Sequence, residues 1–387
     1  MIGPMIADIE RRAASWLAAW DAQGIHRTGT KGDQAGAEWL AAEAARLGAK
    51  VTIEEFEFER LDPFDCFLDI DGERIAGVPV FDAPPSGPEG VTGRLGETGS
   101  DAEIALVELS PRSVYSGEAE RLRGNGSHRG LVIVCTGDAP GLGLLNAEQY
   151  RSPYGAPALH VPSEARDRVV TAAARGAPGR LVAYSRHVPA RARNVAAALP
   201  GRDRSRPPLV VMTPRSSWWQ STAERGGGLV CWLETLRALL VAPPVCDVVF
   251  TANTGHELGH LGLDDFVARR PGWDLSPDRG GATWLHYGAN LGAAGGALSL
   301  VSTGDDLRQL AGAEMGRAGQ PADFASKTLV PSGETRDIHR AGGRYLTLVG
   351  TNRLFHLPQD RWPHAVDVAA AARIAGAAAR IANAITR

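Results

Sequence analysis

The sequence predicts an α/β fold in which a mainly parallel sheet is sandwiched by helices and carries an inserted β-rich domain. After Arg193, strand-like apolar runs alternate with helical patterns, in the order NVAAALPG, PPLVVMTP, GGGLVCWLETLRALL and CDVVFTANT. Such alternation is typical of parallel strands joined by crossover helices. Before that region, between residues 62 and 184, short β-like runs separated by Gly, Pro and Asp predict the inserted domain. The predicted domains are the α/β domain, 1–61 with 185–387, and the β-rich domain, 62–184.

Further elements are predicted towards the two ends of the chain. Residues 5–24 and Gln34–Leu47 show the spacing of amphipathic helices, and Gly48 stands where a helix C-terminal cap is expected. The segment VTIEEFEFERL alternates with the period of a strand. Near the C-terminus, VDVAAAARIAGAAARIANAI predicts an alanine-rich helix that packs closely against its neighbours.

Composition narrows the classes of function. With 387 residues, 44% hydrophobic and 22% charged, the chain can bury a core large enough for two structural units. A net charge of −3 gives no basic field for nucleic acid or an anionic membrane. The apolar stretches are interrupted before the roughly 20 residues of a membrane span, and the first residues lack the basic start of a signal peptide. We therefore expect a cytoplasmic protein with no membrane or nucleic-acid partner.

The cysteines offer no metal or disulfide pattern. Cys66, Cys135, Cys231 and Cys246 are scattered without CxxC spacing. Neither a thiolate zinc site nor a disulfide framework is expected from that distribution, so buried free thiols are predicted.

The most conspicuous motif is the string H-E-x-x-H formed by His256, Glu257 and His260. On a helix, the two histidines would share one face and bind zinc, with the glutamate as general base. The following segment, LGLDDFVARRPG, shows no clear third ligand. The string also comes directly after a predicted parallel strand, where ligands of open α/β sheets bind. That location favours a different kind of site.

Four segments in order carry a specific resemblance: RTGTKGDQAGAEWLAAEAARLGAKV, RARNVAAALPG, TGHELGHLGLDDF and FHLPQDRWPHAVD. They resemble the opening helix, the first catalytic strand, the paired-glutamate turn and the closing histidine segment of the zinc aminopeptidase family. That family includes bacterial leucyl aminopeptidases, glutamate carboxypeptidases and glutaminyl cyclases. Within the insertion, GLVIVCTG and APALHVPSEA resemble a protease-associated domain. The resemblance implies a metallohydrolase fold over nearly the whole chain.

The resemblance also implies a set of metal ligands. Family members commonly hold two zinc ions with two histidines and three carboxylates. Their bridging aspartate falls on Glu224, the second glutamate of the pair on Glu257, and the final histidine on His356. The other zinc site is altered, because its H-x-D segment reads Thr213-Pro214-Arg215 and its late aspartate falls near Asn290. A hydroxyl and an amide are poor substitutes for imidazole and carboxylate, so at most one zinc ion is expected.

Further roles follow from the same resemblance. The family's general base falls on His256, which is expected to act as base beside Glu257 or as a metal ligand together with His260 or His286. The candidate substrate-binding residues are Arg215, Arg225, Trp218, Trp219 and Asn290. The two arginines would hold an anionic group of the substrate and the two tryptophans would form a wall of the pocket.

Each candidate also has an ordinary structural interpretation. Glu224 could be an acid at a helix N-terminus, His356 a core histidine, and Arg215 the partner of a structural ion pair. The two tryptophans could belong to the core.

Three functions therefore stay open at this point. The preferred one is hydrolysis of an amide or related bond in a small molecule or peptide with one zinc ion. The second is a degenerate homologue that binds a ligand or partner without catalysis. The third is a zinc metalloprotease that uses His256, Glu257 and His260. Self-association is compatible with all three.

Overall fold

The computed structural model describes residues 2–124, 126–270, 281–326 and 328–387 of the chain. In these residues the α-helices are Ile2–Asp21 (α1), Lys31–Arg46 (α2), Glu118–Arg123 (α3), Arg166–Ala174 (α4), Gly227–Val241 (α5), Leu261–Ala268 (α6), Asp305–Arg317 (α7), Thr335–Arg340 (α8) and Val368–Ile385 (α9).

The strands described are Val51–Ile70 (β1), Glu73–Ala76 (β2), Val78–Pro79 (β3), Val91–Glu97 (β4), Ile104–Leu109 (β5), Gly130–Cys135 (β6), Ala158–Val161 (β7), Pro178–Leu199 (β8), Leu209–Pro214 (β9), Val248–Asn253 (β10), Thr283–Tyr287 (β11), Leu298–Ser302 (β12), Asp323–Phe324 (β13) and Arg344–Gly350 (β14).

The α/β fold predicted from the sequence is confirmed, with one large curled sheet flanked by helices. Strands β14, β11, β9 and β10 lie side by side in that order and run parallel. Antiparallel strands continue the sheet on both sides, β12 next to β14 and β8 next to β10. The sheet is therefore mixed, and its parallel centre aligns the carboxyl ends of four strands along one edge.

Two long strands connect the parts of the molecule. β1 pairs with β8 in antiparallel register from Val51 opposite Ala197 to Ile70 opposite Gly179, with a register shift between Pro63 and Asp65. The boundaries predicted at 62 and 184 thus fall inside continuous strands. Separate hydrophobic clusters form towards the two ends of this strand pair, one around α5, α9 and β9–β11 and two around β4–β7. The division into two domains stays a prediction.

Most local predictions agree with the structure within a few residues. The two N-terminal helices are α1 and α2, and the side chain of Thr30 caps α2 by accepting a hydrogen bond from Asp33 N. Gly48 has φ +98°, as a helix C-terminal cap requires. The four cysteines are free thiols, of which Cys66 is partly buried and the others buried.

Helix α9 shows how small side chains allow close packing. By length and composition it could cross a membrane, but 61% of it is buried inside the protein. It contacts α1, α5 and α7, and eight of its alanines are among its buried residues. An added Cβ on Gly292 would lie 2.6 Å from the Cβ of Ala371. The helix therefore belongs to the hydrophobic core.

The start of α5 provides a test of this close packing. An added Cβ on Gly227 would lie 1.7 Å from the carbonyl oxygen of Leu291, which is far inside contact distance. Gly227→Ala is expected to lower the free energy of unfolding by about 2–3 kcal/mol, because the backbone must move apart. Gly316→Ala in α7 is the matched control, since nothing lies within 4 Å of its added Cβ. It should raise stability by about 0.5–1 kcal/mol. Urea denaturation measures the change in the free energy of unfolding for each variant. Equal changes for the two substitutions would contradict the packing argument.

Candidate active site

The site lies at the carboxyl ends of the four parallel strands. Arg215 and Ser216 follow β9, His256 and Glu257 follow β10, Asn290 follows β11, and the loop after β14 carries His356. Ligands of open α/β sheets bind at this edge, because the loops that follow parallel strands converge there.

The H-E-x-x-H string does not form one helix. Residues His256–Leu258 make a single 3-10 turn, and α6 begins only at Leu261. Gly259 and His260 between them have φ +66° and +62°, in the left-handed region. The two histidine rings nevertheless lie 5.1 Å apart, but the side chain of Glu257 turns towards a different group.

That group is the guanidinium of Arg225. Its Nη2 lies 2.6 Å from Oε1 of Glu257 and 2.8 Å from Oε1 of Glu224. Its Nε donates to the carbonyl oxygen of Ser216 at 2.7 Å. The hydroxyl of Ser216 in turn donates to the second oxygen of Glu257 at 2.6 Å. All three charged side chains are essentially buried, so one internal cation serves two internal carboxylates.

His356 completes this group of side chains. Its Nε2 lies 3.3 Å from Oε1 of Glu224, and its Nδ1 is 2.7 Å from the carbonyl oxygen of Leu144, which the insertion supplies. Burial opposes ionisation of Glu224, but Arg225 and His356 outweigh that effect and lower the carboxyl pKa to about 2. Glu224 is therefore a carboxylate at every pH at which the protein would be handled.

The backbone around Glu224 is fixed by a buried carboxyl group. Residues Thr222–Gly226 form a π-helical turn immediately before α5. Asp360 accepts hydrogen bonds from the backbone N–H groups of Ala223 and Glu224, at 2.7 and 2.9 Å. Burial raises the pKa of Asp360 to about 7. Asp360 thus satisfies N–H groups at the start of this helical segment, as a capping residue does.

The three predicted ligands converge, but their arrangement does not fit a metal ion. Glu224 and Glu257 both direct an oxygen at Nη2 of Arg225, so the position between them is taken by a nitrogen that carries positive charge. A zinc ion there would meet that cation at very short range. Across the described residues as they stand, no group of three or more His, Cys, Asp or Glu side chains is arranged to hold a metal.

A second group of buried polar side chains lies beside the first. Oε1 of Glu334 is 3.7 Å from Nδ1 of His256, and its other oxygen accepts a hydrogen bond from Asn253. Nδ1 of His260 is 2.5 Å from Asp337, and Nδ1 of His286 is 2.6 Å from the hydroxyl of Thr335.

Their protonation states differ because their surroundings differ. Burial, followed by the positive charge of Arg225, holds the pKa of His256 well below its ordinary value. Burial likewise lowers the pKa of His286 to about 3. Burial opposes protonation of His260, but Asp337 outweighs it and raises the pKa. For Glu334, burial raises the carboxyl pKa to about 7. At neutral pH the imidazoles of His256 and His286 are therefore neutral, and Glu334 is near its midpoint.

A pocket of about 250 Å³ opens beside this group. Its polar lining includes His256, His286, Asn290 and Arg112, the last of which comes from the insertion. The other lining side chains are mainly apolar and include Val301, Leu329, Val349 and Phe355. Such a combination of apolar walls with a few polar groups is typical of small-molecule sites.

The predicted substrate-binding residues divide between the pocket and the interior. Asn290 lines the pocket, and its Oδ1 is buried without a hydrogen-bond partner. Arg215 is fully buried 2.9 Å from Asp33, which supports its structural interpretation. Trp218 stacks on Phe81 within a hydrophobic cluster.

The other candidates also have partners inside the protein. Trp219 donates its indole N–H to the carbonyl oxygen of His356. Thr213, at the first position of the altered H-x-D segment, donates its hydroxyl to the carbonyl oxygen of Tyr287. Arg225 contacts the two glutamates rather than the pocket.

Sequence reasoning missed several residues of the site. Asp360 lies within the quoted segment FHLPQDRWPHAVD, so its motif could have drawn attention to it. Glu334 and Asp337 belong to a stretch without a recognisable pattern, about 80 residues beyond His256. Ser216 follows β9, at the favoured edge of the sheet, and only that position could have identified it.

The lowered pKa of Glu224 predicts a pH-dependent contribution to stability. Because the pKa is about 2 in the folded protein and 4.5 ordinarily, the stabilisation is complete above pH 4.5 and is lost as the pH falls towards 2. Glu224→Gln should cost roughly 2–3 kcal/mol at pH 7 and progressively less at pH 4 and 3. Urea denaturation at each pH measures the difference. Replacement of the exposed Glu118 by Gln is the control and should change stability by less than about 0.5 kcal/mol throughout. A Glu224→Gln effect that does not change with pH would contradict the assignment.

No family model matches the chain, and no curated protein matches it. Among solved structures, BSAP, a zinc aminopeptidase from Bacillus subtilis, is similar with a TM-score of 0.74 at 17% identity, over 95% of this chain and 94% of that one. A peptidase M28 precursor from Shewanella amazonensis is similar with a TM-score of 0.74 at 14% identity, over 99% of this chain and 96% of that one. An aminopeptidase from Aneurinibacillus is similar with a TM-score of 0.68 at 15% identity, over 96% of this chain and 92% of that one. The chain therefore has the fold of the zinc aminopeptidases.

Proposed function

We propose that this protein hydrolyses an amide or a related carbonyl bond in the pocket beside His256, without a metal ion at Glu224, Glu257 and His356. The observation that carries the proposal is the pair formed by His256 and Glu334 at the wall of that pocket. A buried carboxyl oxygen 3.7 Å from an imidazole nitrogen, just beyond hydrogen-bond distance, places a group that can support a base next to that base. The fold of known peptidases adds support for a hydrolase, and only by analogy.

The protonation states suit this chemistry. Hydrolysis requires a group that takes a proton from water. The imidazole of His256 is neutral and borders the pocket. Because burial and Arg225 oppose its protonation, it can accept the proton only while Glu334 beside it is ionised. Glu334, with its pKa raised to about 7 by burial, is ionised above neutrality and then stabilises the imidazolium that forms. A small side-chain movement closes 3.7 Å to hydrogen-bond distance, as often happens when a substrate binds.

The pocket indicates the kind of substrate. Its volume of about 250 Å³ suits a small molecule or the end of a short peptide. Val301, Val349 and Phe355 would contact an apolar part of the substrate, and Asn290 would hydrogen-bond a polar group. Arg112 is exposed at the pocket and is the group suited to a substrate carboxylate.

A second candidate function is binding of the same molecule without hydrolysis. It is favoured by the ion pairs of Arg225, which take the place where the resemblance puts the metal that polarises the carbonyl group. The zinc metalloprotease function has weaker support, because Glu257 is held by Arg225 and Ser216 away from the two histidines.

Hydrolysis is tested with a panel of amide, short-peptide and ester substrates. Replacement of either His256 or Glu334 by Gln should lower kcat by roughly 10²–10⁴-fold, because the proton acceptor or its support is lost. The wild-type rate should fall as the pH drops through about 7, since Glu334 then becomes protonated. Glu334→Gln should remove that pH dependence.

The control for this experiment is another buried acid. Glu314 in α7 is 6% exposed and pairs with Arg380 far from the pocket, so Glu314→Gln should leave kcat within about twofold. If wild-type protein turns over none of the substrates but one of them raises its melting temperature, binding without hydrolysis replaces the proposal. Hydrolysis with an unchanged rate in Glu334→Gln would contradict the assigned role.

A further inference from the structure

We propose that the guanidinium of Arg225 is a built-in replacement for the metal ion, which leaves a latent zinc site in the side chains around it. The inference concerns Glu224, Glu257 and His356 and holds whether or not the neighbouring pocket supports hydrolysis. It explains why a chain with this fold keeps two carboxylates and an imidazole together although they do not fit an ion.

The charges provide the first argument. Two carboxylates buried side by side would repel each other, and at least one would be forced to take up a proton. A cation between them removes that repulsion. Nη2 of Arg225 lies 2.8 Å from one carboxylate and 2.6 Å from the other. A single side chain therefore supplies the positive charge that a bound metal supplies in a metalloenzyme.

The surrounding contacts provide the second argument. Nε of Arg225 is fixed by the carbonyl oxygen of Ser216, whose hydroxyl also fixes Glu257. Ser221 donates a hydrogen bond to the second oxygen of Glu224. Nδ1 of His356 is 2.7 Å from Leu144 O, which directs Nε2 towards Glu224. These contacts hold donor groups in place in the way that outer-shell partners orient metal ligands.

The distances show what removal of the guanidinium would require. The carboxylate oxygens now stand 2.6 and 2.8 Å from a nitrogen, whereas zinc bonds to oxygen and nitrogen are about 2.0–2.2 Å long. A contraction of roughly half an ångström on each side would bring the two carboxylates onto one ion. His356 is the third candidate ligand, because its Nε2 lies 3.3 Å from Oε1 of Glu224. Three protein ligands are enough for zinc when a water molecule takes the fourth position.

The test is a gain of zinc binding. Arg225→Ala removes the internal cation and should bind one zinc ion at micromolar or tighter concentration in a competition titration with a chromogenic chelator. Without zinc, its melting temperature should be roughly 5–10 °C below that of the wild type, because two buried carboxylates are left unpaired. Added zinc should recover several degrees of that loss. Wild-type protein should show neither binding nor a shift at this site.

Matched variants show where any zinc binds. Arg215 is also fully buried and ion-paired, but its partner is the single carboxylate of Asp33. Arg215→Ala should therefore be destabilised without gaining zinc. The double variant Arg225→Ala with His356→Ala should lose at least tenfold of the zinc affinity gained by Arg225→Ala. Arg225→Lys retains a cation and should bind no zinc.

The proposal is overturned by either of two results. One is a folded Arg225→Ala protein that binds no more zinc than Arg215→Ala. The other is wild-type protein that binds zinc and loses it on replacement of Glu224 by Gln, because the guanidinium would then not exclude the ion. The second measurement needs no Arg225 variant, so it decides the question even if Arg225→Ala does not fold. Both readouts are independent of turnover, so a failure of the proposed hydrolysis leaves them unaffected.

Discussion

The site depends on one electrostatic constraint, the pairing of two buried carboxylates with a single buried guanidinium. A carboxylate loses several kcal/mol of hydration when it is taken into a protein interior. Glu224 and Glu257 are both buried, and each has an oxygen within 2.8 Å of the Arg225 guanidinium, so one cation compensates both carboxylates. The position of the guanidinium in turn fixes the π-helical turn before α5 and the turn after β10. The loops that follow two different strands are thereby held against each other.

The same interaction separates two kinds of chemistry at one edge of the sheet. Around Arg225 the charged side chains pair with one another, Glu224 and Glu257 with the guanidinium and His356 with Glu224. Around His256, buried polar atoms of His286, Asn290 and Glu334 have no hydrogen-bond partner within the described residues and lie at or near a pocket. Unsatisfied buried polar groups cost free energy and are concentrated where a ligand is to be bound. The first group is therefore built on ion pairs, and the second borders the pocket.

The sequence could predict the scaffold because the relevant signals are local. Alternating strand and helix patterns after Arg193 indicate the parallel centre of the sheet, and the resemblance to the zinc aminopeptidase family implies that Glu224, Glu257 and His356 meet. The structure brings those three side chains together. What fills the space between them depends on the direction of a long, flexible side chain, which no periodicity encodes. Arg225 was assigned to substrate binding for that reason.

Other differences between the sequence-based expectations and the structure have different physical causes. The H-E-x-x-H string suggested a helix, but Gly255 and Gly259 have φ +74° and +66°, which breaks the segment into two turns. Glycines at these positions were visible in the sequence and argued against a continuous helix. Glu334 could not have been found, because its approach to His256 depends on how the sheet brings α8 next to β10. Such long-range contacts arise from topology and leave no trace in local composition.

The continuous ribbon of β1 and β8 has a mechanical consequence for access to the pocket. Arg112 reaches the pocket from the insertion, whereas His256 and His286 belong to the main sheet. Both parts share the same two strands, so a tilt of one part must bend this ribbon. The register shift between Pro63 and Asp65 interrupts the ladder near the junction and marks the point of least resistance to bending. A bend of this ribbon would therefore change the distance between Arg112 and His256 across the pocket.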